Sequence, residues 1–142
     1  MILVDINILV NSYREDMVRH REFRAWFLGL AQNGVAFGVA DLVFSGFLRI
    51  VTNPAIFNSP TPVKKALKHV AEIQALPTFV PVYPGVRHWE VFRGLVETMD
   101  LRGNRIPDAY LAAMAIETGN EWISDDRGFS EYPNLRWRRP LN

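Results

Sequence analysis

The feature that most constrains this chain is its opening run, MILVDINILV, in which one carboxylate interrupts a stretch of aliphatic residues. A run this apolar is typical of a strand that is buried on both faces, as in a parallel sheet. An ionised aspartate is costly there unless it is paired, hydrogen-bonded, bound to a cation or placed where the strand leaves the sheet. Asp5 therefore predicts either a polar site near the end of the first strand or a buried ion pair with an arginine.

Strand-like and helix-like segments alternate along the rest of the chain. The residue patterns predict strands over 35–39, 79–83, 121–124 and 135–137, and helices over 19–32, 41–52, 62–76, 86–99 and 106–119. Pro81 indicates that the strand at 79–83 lies at an edge or is irregular. The alternation predicts an α/β fold with a mostly parallel sheet and helices on both faces. A length of 142 residues, of which 49% are hydrophobic, predicts a single globular domain over 1–142.

Composition excludes several kinds of chemistry. The chain has no cysteine, so disulfides, thiolate metal sites and a cysteine nucleophile are excluded. The 16 Lys and Arg residues against 15 Asp and Glu argue neither for nor against a nucleic-acid partner. The apolar N-terminus lacks a basic region and a cleavage site of small residues. We therefore expect neither a signal peptide nor a membrane span, and a cytoplasmic location.

Two more carboxylates fall where they can join Asp5. Asp108 lies in the first turn of the Ala-rich segment IPDAYLAAMAIETG, and Asp126 follows the strand EWIS. In parallel sheets, ligands bind beyond the carboxyl ends of the strands, where these aspartates can converge. Mg²⁺ or Mn²⁺ would relieve the repulsion among them. The alternatives are a helix-dipole partner for Asp108 and a turn at Asp125-Asp126.

The remaining polar candidates have structural explanations. Asn7 is of the type that caps a following helix. The histidines, His20, His69 and His88, lie in helical stretches far from the acidic motifs. We expect them to be surface or packing residues, so no side chain is an evident general base.

These motifs together resemble those of the PIN-domain ribonucleases, in particular the VapC toxins of bacterial toxin–antitoxin pairs. The opening ILVDINILV is similar to the family's first strand, with its aspartate followed by an asparagine. IPDAYLAAMAIETG is similar to the helix that begins with an aspartate, and WISDDRGF to the strand that ends in Ser/Thr-x-Asp-Arg. The closing YPNLRWRRPL matches the end of one branch of toxins. The resemblance spans nearly the whole chain and implies a PIN-like three-layer sandwich.

The resemblance also implies an activity and a site. It implies hydrolysis of a phosphodiester in RNA, tRNA or rRNA, that depends on Mg²⁺ or Mn²⁺. The metal ligands and catalytic residues would be Asp5, Asp108 and Asp126, supported by Asn7 and Ser124. RNA would be bound by basic residues near the acidic motifs: Arg49, Arg102, Arg105 and Arg127. Further basic and aromatic residues close the chain: Arg136, Trp137, Arg138 and Arg139.

The resemblance further implies a homodimer and a small cognate antitoxin that blocks the cleft. The N-terminal half is rich in large aromatic residues, some of which are candidates for such an interface, although core packing is the preferred role for most of them. They are Phe23, Trp26, Phe27, Phe44 and Phe47.

One departure from the family concerns the helix over 41–52. The family usually carries a glutamate where this chain has Gly46, and the second aspartate of its DRDF motif is Gly128. Asp41 is a poor substitute, because five residues of α-helix turn a side chain by about 140°. The competing hypothesis is therefore a weakened PIN-like module that binds RNA or antitoxin without cutting. A phosphatase or response-regulator-like domain lacks support, because the first strand has no D-x-D pattern.

Overall fold

Five parallel strands form one sheet in the computed structural model of this protein, which describes residues 1–142. The strand order is β3-β2-β1-β4-β5, so β1 lies at the centre. The strands are β1 (Ile2–Val4), β2 (Phe37–Ala40), β3 (Phe79–Val82), β4 (Glu121–Ile123) and β5 (Trp137–Arg138). The predicted edge position of the segment that contains Pro81 is confirmed, because β3 ends the sheet on one side.

Six α-helices connect and cover the strands. They are α1 (Ile6–Tyr13), α2 (His20–Gln32), α3 (Asp41–Val51), α4 (Val63–Gln74), α5 (His88–Met99) and α6 (Arg105–Thr118). A short 3₁₀ helix, Arg127–Glu131, follows β4. Helix α1 contacts α2 and α3, α3 contacts α4, and α5 packs closely against α6. The predicted α/β fold is confirmed, with the strands parallel throughout. No helix combines the length and the apolar character that crossing a membrane requires.

The opening run is only partly a strand. The strand ends at Val4, and α1 begins at Ile6, with the Asp5 carboxylate accepting a 2.6 Å hydrogen bond from the Ile6 backbone N–H. Asp5 is therefore the N-cap of α1, and the expected capping role of Asn7 is wrong. The residues that follow, Ile8, Leu9 and Val10, are buried on a helix rather than on a strand. A short apolar run does not distinguish a buried strand from the buried face of a helix.

The core is one continuous cluster of 33 buried apolar residues around the sheet. Four of the five N-terminal aromatic residues are buried in it, and Trp26 packs against it. Core packing is therefore confirmed as their main role.

Helix α6 carries the Ala-rich segment, as the sequence predicts. Ala109, Ala112 and Ala113 are fully buried, which lets the helix approach its neighbours closely. Gly119 ends the helix in the left-handed region at φ 68°, where glycine has no steric cost. By contrast, Asp41 is the first residue of α3 and not its cap, a position that Ala40 takes. Asp108 lies in the first turn of α6.

Candidate active site

Three aspartates converge at the carboxyl edge of the two central strands. Val4 pairs with Ile123, so Asp5 after β1 and Ser124 after β4 emerge side by side. The negative charges of Asp108 and Asp126 both raise the pKa of Asp5, and the charge of Asp126 raises that of Asp108. The fold therefore brings together the three carboxylates that the sequence singled out.

Asp5 is the most perturbed of these acids. It is only 6% exposed, and its burial is the main reason that its pKa rises to about 6. Hydrogen bonds from the Ser124 hydroxyl and the Ile6 N–H act in the opposite direction, because they stabilise the carboxylate. The Ser124 hydroxyl donates to Oδ2 of Asp5 at 2.6 Å, and the Asn7 amide donates to the same oxygen at 3.2 Å.

Asn7 and Ser124 join the start of α1 to the loop after β4. The Asn7 amide nitrogen donates to the Ser124 hydroxyl at 2.9 Å, while its amide oxygen accepts from the backbone N–H of Asp125 at 3.1 Å. The Ser124 hydroxyl also accepts from the backbone N–H of Asp126 at 3.1 Å. These bonds hold the Asp5 carboxylate and the backbone that carries Asp126 in one arrangement.

The other two carboxylates are more accessible. Asp108 is half-buried, and its burial is the largest cause of its raised pKa, which the nearby Arg105 partly offsets. Asp126 is exposed and accepts a 2.8 Å hydrogen bond from the Gly128 N–H, so it caps the short 3₁₀ helix. The predicted turn is therefore present at Asp126, which is also the candidate metal ligand.

The predicted RNA-binding arginines differ in their surroundings. Arg105 pairs with Glu131 at 2.9 Å, and its charge acts on Asp108, which places it beside the site. Arg127 follows Asp126 directly and is exposed, and Arg49 is exposed on α3. Arg102 pairs with Asp100 at 3.1 Å in an exposed loop, and no contact in the structure links it to the acidic residues.

Two features of the site have no clear signal in the sequence. Tyr132 is buried, which raises the pKa of its hydroxyl, and the charges of Asp108 and Asp126 add to this rise. Arg139 forms an ion pair with Asp125, the carboxylate next to Asp126. Both residues reach the site through tertiary packing. The sequence singles out Arg139 only as one of several basic residues over 136–139, and it assigns no role to Tyr132.

The position of the usual family glutamate is filled by an apolar side chain. Gly46 is buried, and a Cβ built on it would lie 2.3 Å from Cδ1 and 3.0 Å from Cγ1 of Ile6. The glycine thus allows α3 to approach the start of α1, immediately beside Asp5. A larger residue at this position requires Ile6 to move.

The histidines take no part in the site. His88 is buried and its Nε2 lies 2.8 Å from the carbonyl oxygen of Tyr110. The His20 ring is hydrogen-bonded to the Asn11 carbonyl, and His69 stacks near Tyr13 with ring centroids 4.3 Å apart. Their predicted role as packing residues is confirmed.

The carboxylates of the site have the chemistry, although not a closed geometry, that a divalent cation requires. No group of three or more histidine or carboxylate side chains is arranged as a ready-made cage for a metal ion. The oxygens of Asp5, Asp108 and Asp126 are nevertheless the hard donors that Mg²⁺ and Mn²⁺ favour. Their mutual repulsion and the raised pKa of Asp5 are what a cation would relieve. The residues therefore fit such an ion when water supplies the remaining ligands.

Comparison with known proteins agrees with this arrangement. The PIN domain family model matches residues 2–135. The chain is 42% identical over 142 residues to VapC ribonuclease Mb2897 of Mycobacterium bovis, covering 100% of this chain and 97% of the relative. It is 39% identical over 140 residues to ribonuclease VapC25 of Mycobacterium tuberculosis, covering 99% of each.

Solved structures show the same fold at low sequence identity. VapBC2 from Rickettsia felis, bound to a DNA fragment from its promoter, has a TM-score of 0.72 at 17% identity, covering 98% of each chain. VapC20 from Mycobacterium tuberculosis, described as a sarcin–ricin-loop-cleaving toxin, has a TM-score of 0.66 at 14% identity, covering 96% of this chain and 99% of that chain. Together with the full-length sequence matches, these findings show that the chain belongs to the PIN-domain family, among the VapC ribonucleases.

Proposed function

We propose that this protein is the toxin of a toxin–antitoxin pair and a metal-dependent endoribonuclease that hydrolyses phosphodiester bonds in structured RNA, either tRNA or rRNA. The observation that carries the proposal is the convergence of Asp5, Asp108 and Asp126 at the sheet edge of a VapC-family chain. A site with several acids and no histidine is suited to phosphoryl chemistry with a hard cation.

Asp5, Asp108 and Asp126 would hold Mg²⁺ or Mn²⁺ and are the proposed catalytic residues. When bound, such a cation supplies Lewis acidity toward the scissile phosphate and its attacking water. No nearby side chain is suited to act as a general base, which is consistent with this assignment.

The protein's own groups orient the site. Asp5 accepts three hydrogen bonds, from the Ile6 N–H, the Ser124 hydroxyl and the Asn7 amide, so its carboxylate has little rotational freedom. Asn7 and Ser124 are therefore proposed to orient Asp5 rather than to contact the substrate. A carboxylate held in place before substrate arrives loses less conformational entropy in the reaction.

The substrate would be bound by basic side chains at the rim. Arg105 and Arg127 flank the carboxylates, and their charges suit the phosphates on either side of the scissile bond. Arg49 and Arg102 are assigned to more distant phosphates. Structured RNA is the preferred class because a related fold, VapC20, is described as cleaving the sarcin–ricin loop.

Protein partners are part of the proposal. Several chains with this fold were solved as VapBC complexes, including those of Rickettsia felis and Haemophilus influenzae. We infer a cognate antitoxin that covers the cleft and a homodimer of this chain, acting in the cytoplasm where both RNA classes are found. Co-purification with the product of the adjacent gene, followed by light scattering of each species, tests both partners.

The deciding experiment is incubation of the purified protein with total tRNA and rRNA in Mg²⁺, in Mn²⁺ and in EDTA. We expect discrete cleavage products with either metal and none with EDTA. The Asp5→Asn variant, purified in parallel, controls for contaminating nucleases. Cleavage that survives both EDTA and this substitution would contradict the proposal.

A catalytically weakened module is the second candidate. It is favoured by Gly46, because Ile6 fills the space beside Asp5 where a fourth carboxylate would stand. Such a protein would retain RNA in a filter-binding assay yet leave it intact at every metal concentration. Three aspartates remain sufficient in our proposal, because Mg²⁺ readily keeps several waters.

A further inference from the structure

Residues 137–139, the C-terminal segment, contact Ser124 and Asp125 of the acidic loop, which spans residues 124–126. The Ser124 N–H donates to the Arg138 carbonyl at 3.2 Å, and the Trp137 indole N–H donates to the Ser124 carbonyl at 3.1 Å. Nε of Arg139 then donates to the Asp125 carboxylate at 2.8 Å. Residues 137–139 therefore hold the loop together with Asn7, whose amide oxygen accepts from the Asp125 N–H.

The two adjacent aspartates of this loop are bound differently. Asp126 caps the 3₁₀ helix, and its charge acts on Asp5 and Asp108. The Asp125 side chain is 30% exposed and is paired with Arg139, whose side chain is 26% exposed. An ion pair this shielded from water is stronger than one on the open surface.

Loss of Arg139 would leave Asp125, one residue from Asp126, without its ion-pair partner, and only the more distant charge of Arg19 would still offset its charge. The freed carboxylate would add to the attraction for a cation and to the repulsion of an RNA phosphate. It would also be a further oxygen donor only one residue from Asp126. The ion pair removes both effects at once.

We propose that Arg139 is a positioning residue that withholds Asp125 from the acidic site, so that only Asp126 of the two serves it. This inference rests on the proposed function for the nature of the ligands, a divalent cation and RNA. The proposal makes a specific prediction. If Arg139 is removed, the freed negative charge of Asp125 should strengthen the binding of the cation and weaken the binding of RNA. A merely structural loss would weaken the binding of both.

The test compares Arg139→Gln, Asp125→Asn and the double variant. Calorimetric titration of metal-free protein with Mg²⁺ gives the cation affinity, and filter binding of total tRNA in EDTA gives the RNA affinity. For Arg139→Gln we expect Mg²⁺ to bind about three- to tenfold more tightly and tRNA to bind more weakly by a similar factor. The double variant should return both affinities to within about twofold of Asp125→Asn, because the released charge is gone.

Arg93→Gln is the matched control. It removes an exposed arginine of α5 that pairs with Glu97 at 2.9 Å, and both affinities should remain those of the wild type. Arg139→Lys keeps the positive charge beside Asp125, so both affinities should remain close to those of the wild type. It shows whether the charge, rather than the arginine itself, causes the effect of Arg139→Gln.

Two results would overturn the inference. One is weaker binding of both ligands by Arg139→Gln without recovery in the double variant, and the other is no change in either affinity. A wild-type protein that cuts no RNA would contradict the proposed function alone, since neither binding measurement requires cleavage.

Discussion

Ser124 and Asp5 lie 119 residues apart in the chain and are joined by a 2.6 Å hydrogen bond between buried side chains. This bond is one of the groups that keep the pKa of Asp5 from rising further. The bond therefore joins the start of α1 to the loop that carries Asp126, and it also stabilises the negative charge of Asp5.

The first prediction concerns this bond. Ser124→Ala should raise the pKa of Asp5 above its present value of about 6, because a donor to the carboxylate is lost. Hydrogen bonds to charged groups contribute about 1.5–3 kcal/mol, so we expect cleavage to slow by about 10- to 100-fold. The acid limb of the pH–rate profile should move to higher pH.

Two further variants serve as controls. Ser124→Thr keeps a hydroxyl at this position and should restore most of the activity. Ser12→Ala removes a buried hydroxyl that is bonded to the Leu9 carbonyl, away from Asp5, and should leave the acid limb unchanged. An unchanged acid limb in Ser124→Ala would contradict the prediction.

The second prediction concerns Asp5 and stability. Its pKa is about 6 in the folded protein against 3.8 in the reference state, so the folded form binds the proton more tightly. The contribution of Asp5 to the free energy of unfolding is therefore fully present below pH 3.8, where the group is protonated in both states. This contribution is lost as the pH rises through about 6. The loss amounts to at most about 3 kcal/mol at pH 7.

Asp5→Asn should abolish cleavage and remove this fall in stability. The gain in stability at neutral pH should be smaller than the full loss calculated for Asp5. In the wild type the Asn7 amide donates to the Asp5 carboxylate, and an amide group at position 5 could place a second donor against it. Urea unfolding of both metal-free proteins between pH 4 and pH 7 measures the difference. A free energy of unfolding that declines equally in both would mean that Asp5 is not its source.

The third prediction concerns Gly46 and Ile6. Gly46→Glu alone should destabilise the fold by about 1–3 kcal/mol, because its Cβ would overlap the Ile6 side chain. Combining it with Ile6→Ser makes room and should recover most of that loss. If three aspartates suffice, the double variant changes metal affinity or rate, while the wild type already cuts RNA. Cleavage by the double variant but not by the wild type would favour the weakened module.

The fourth prediction concerns metal linkage. Mg²⁺ at about 100 times its dissociation constant should stabilise the native protein by about 2.7 kcal/mol, since it binds only the folded site. Asp108→Asn should reduce this gain, as measured by thermal unfolding with and without Mg²⁺. Asp41→Asn is the matched control, because Asp41, like Asp108, lies in the first turn of a helix, although Asp41 is the more exposed of the two. Equal stabilisation of the two variants would exclude Asp108 as a ligand.

Much of the fold could be predicted because its signals are local. The Ala-rich body and Gly119 mark α6, and alternating segments indicate a parallel sheet. The sequence places Asp5 near the end of the first strand, but it does not indicate that α1 begins at Ile6, because a strand and a helix could both bury Ile8 and Leu9. Apolar character alone carries no information about which of the two forms.

The sequence predicts those residues of the candidate site that lie at the end of a strand or at the start of a helix. Asp5, Asp108 and Asp126 met that condition. Arg139 and Tyr132 did not, because their places beside the acids depend on how β5 and the 3₁₀ helix return to the sheet. Ile6 was read as one more strand residue, although its packing on Gly46 shapes the wall of the site.

The acidic loop is held by residues from both ends of the chain, and this has a consequence during synthesis. A ribosome that has made only the first hundred residues has produced Asp5 and Asn7 but neither Ser124 nor the strand that receives Trp137. The site is complete only after β5, Trp137–Arg138, has left the ribosome and paired with β4. A nascent chain that still lacks β5 is therefore expected to be inactive as a ribonuclease.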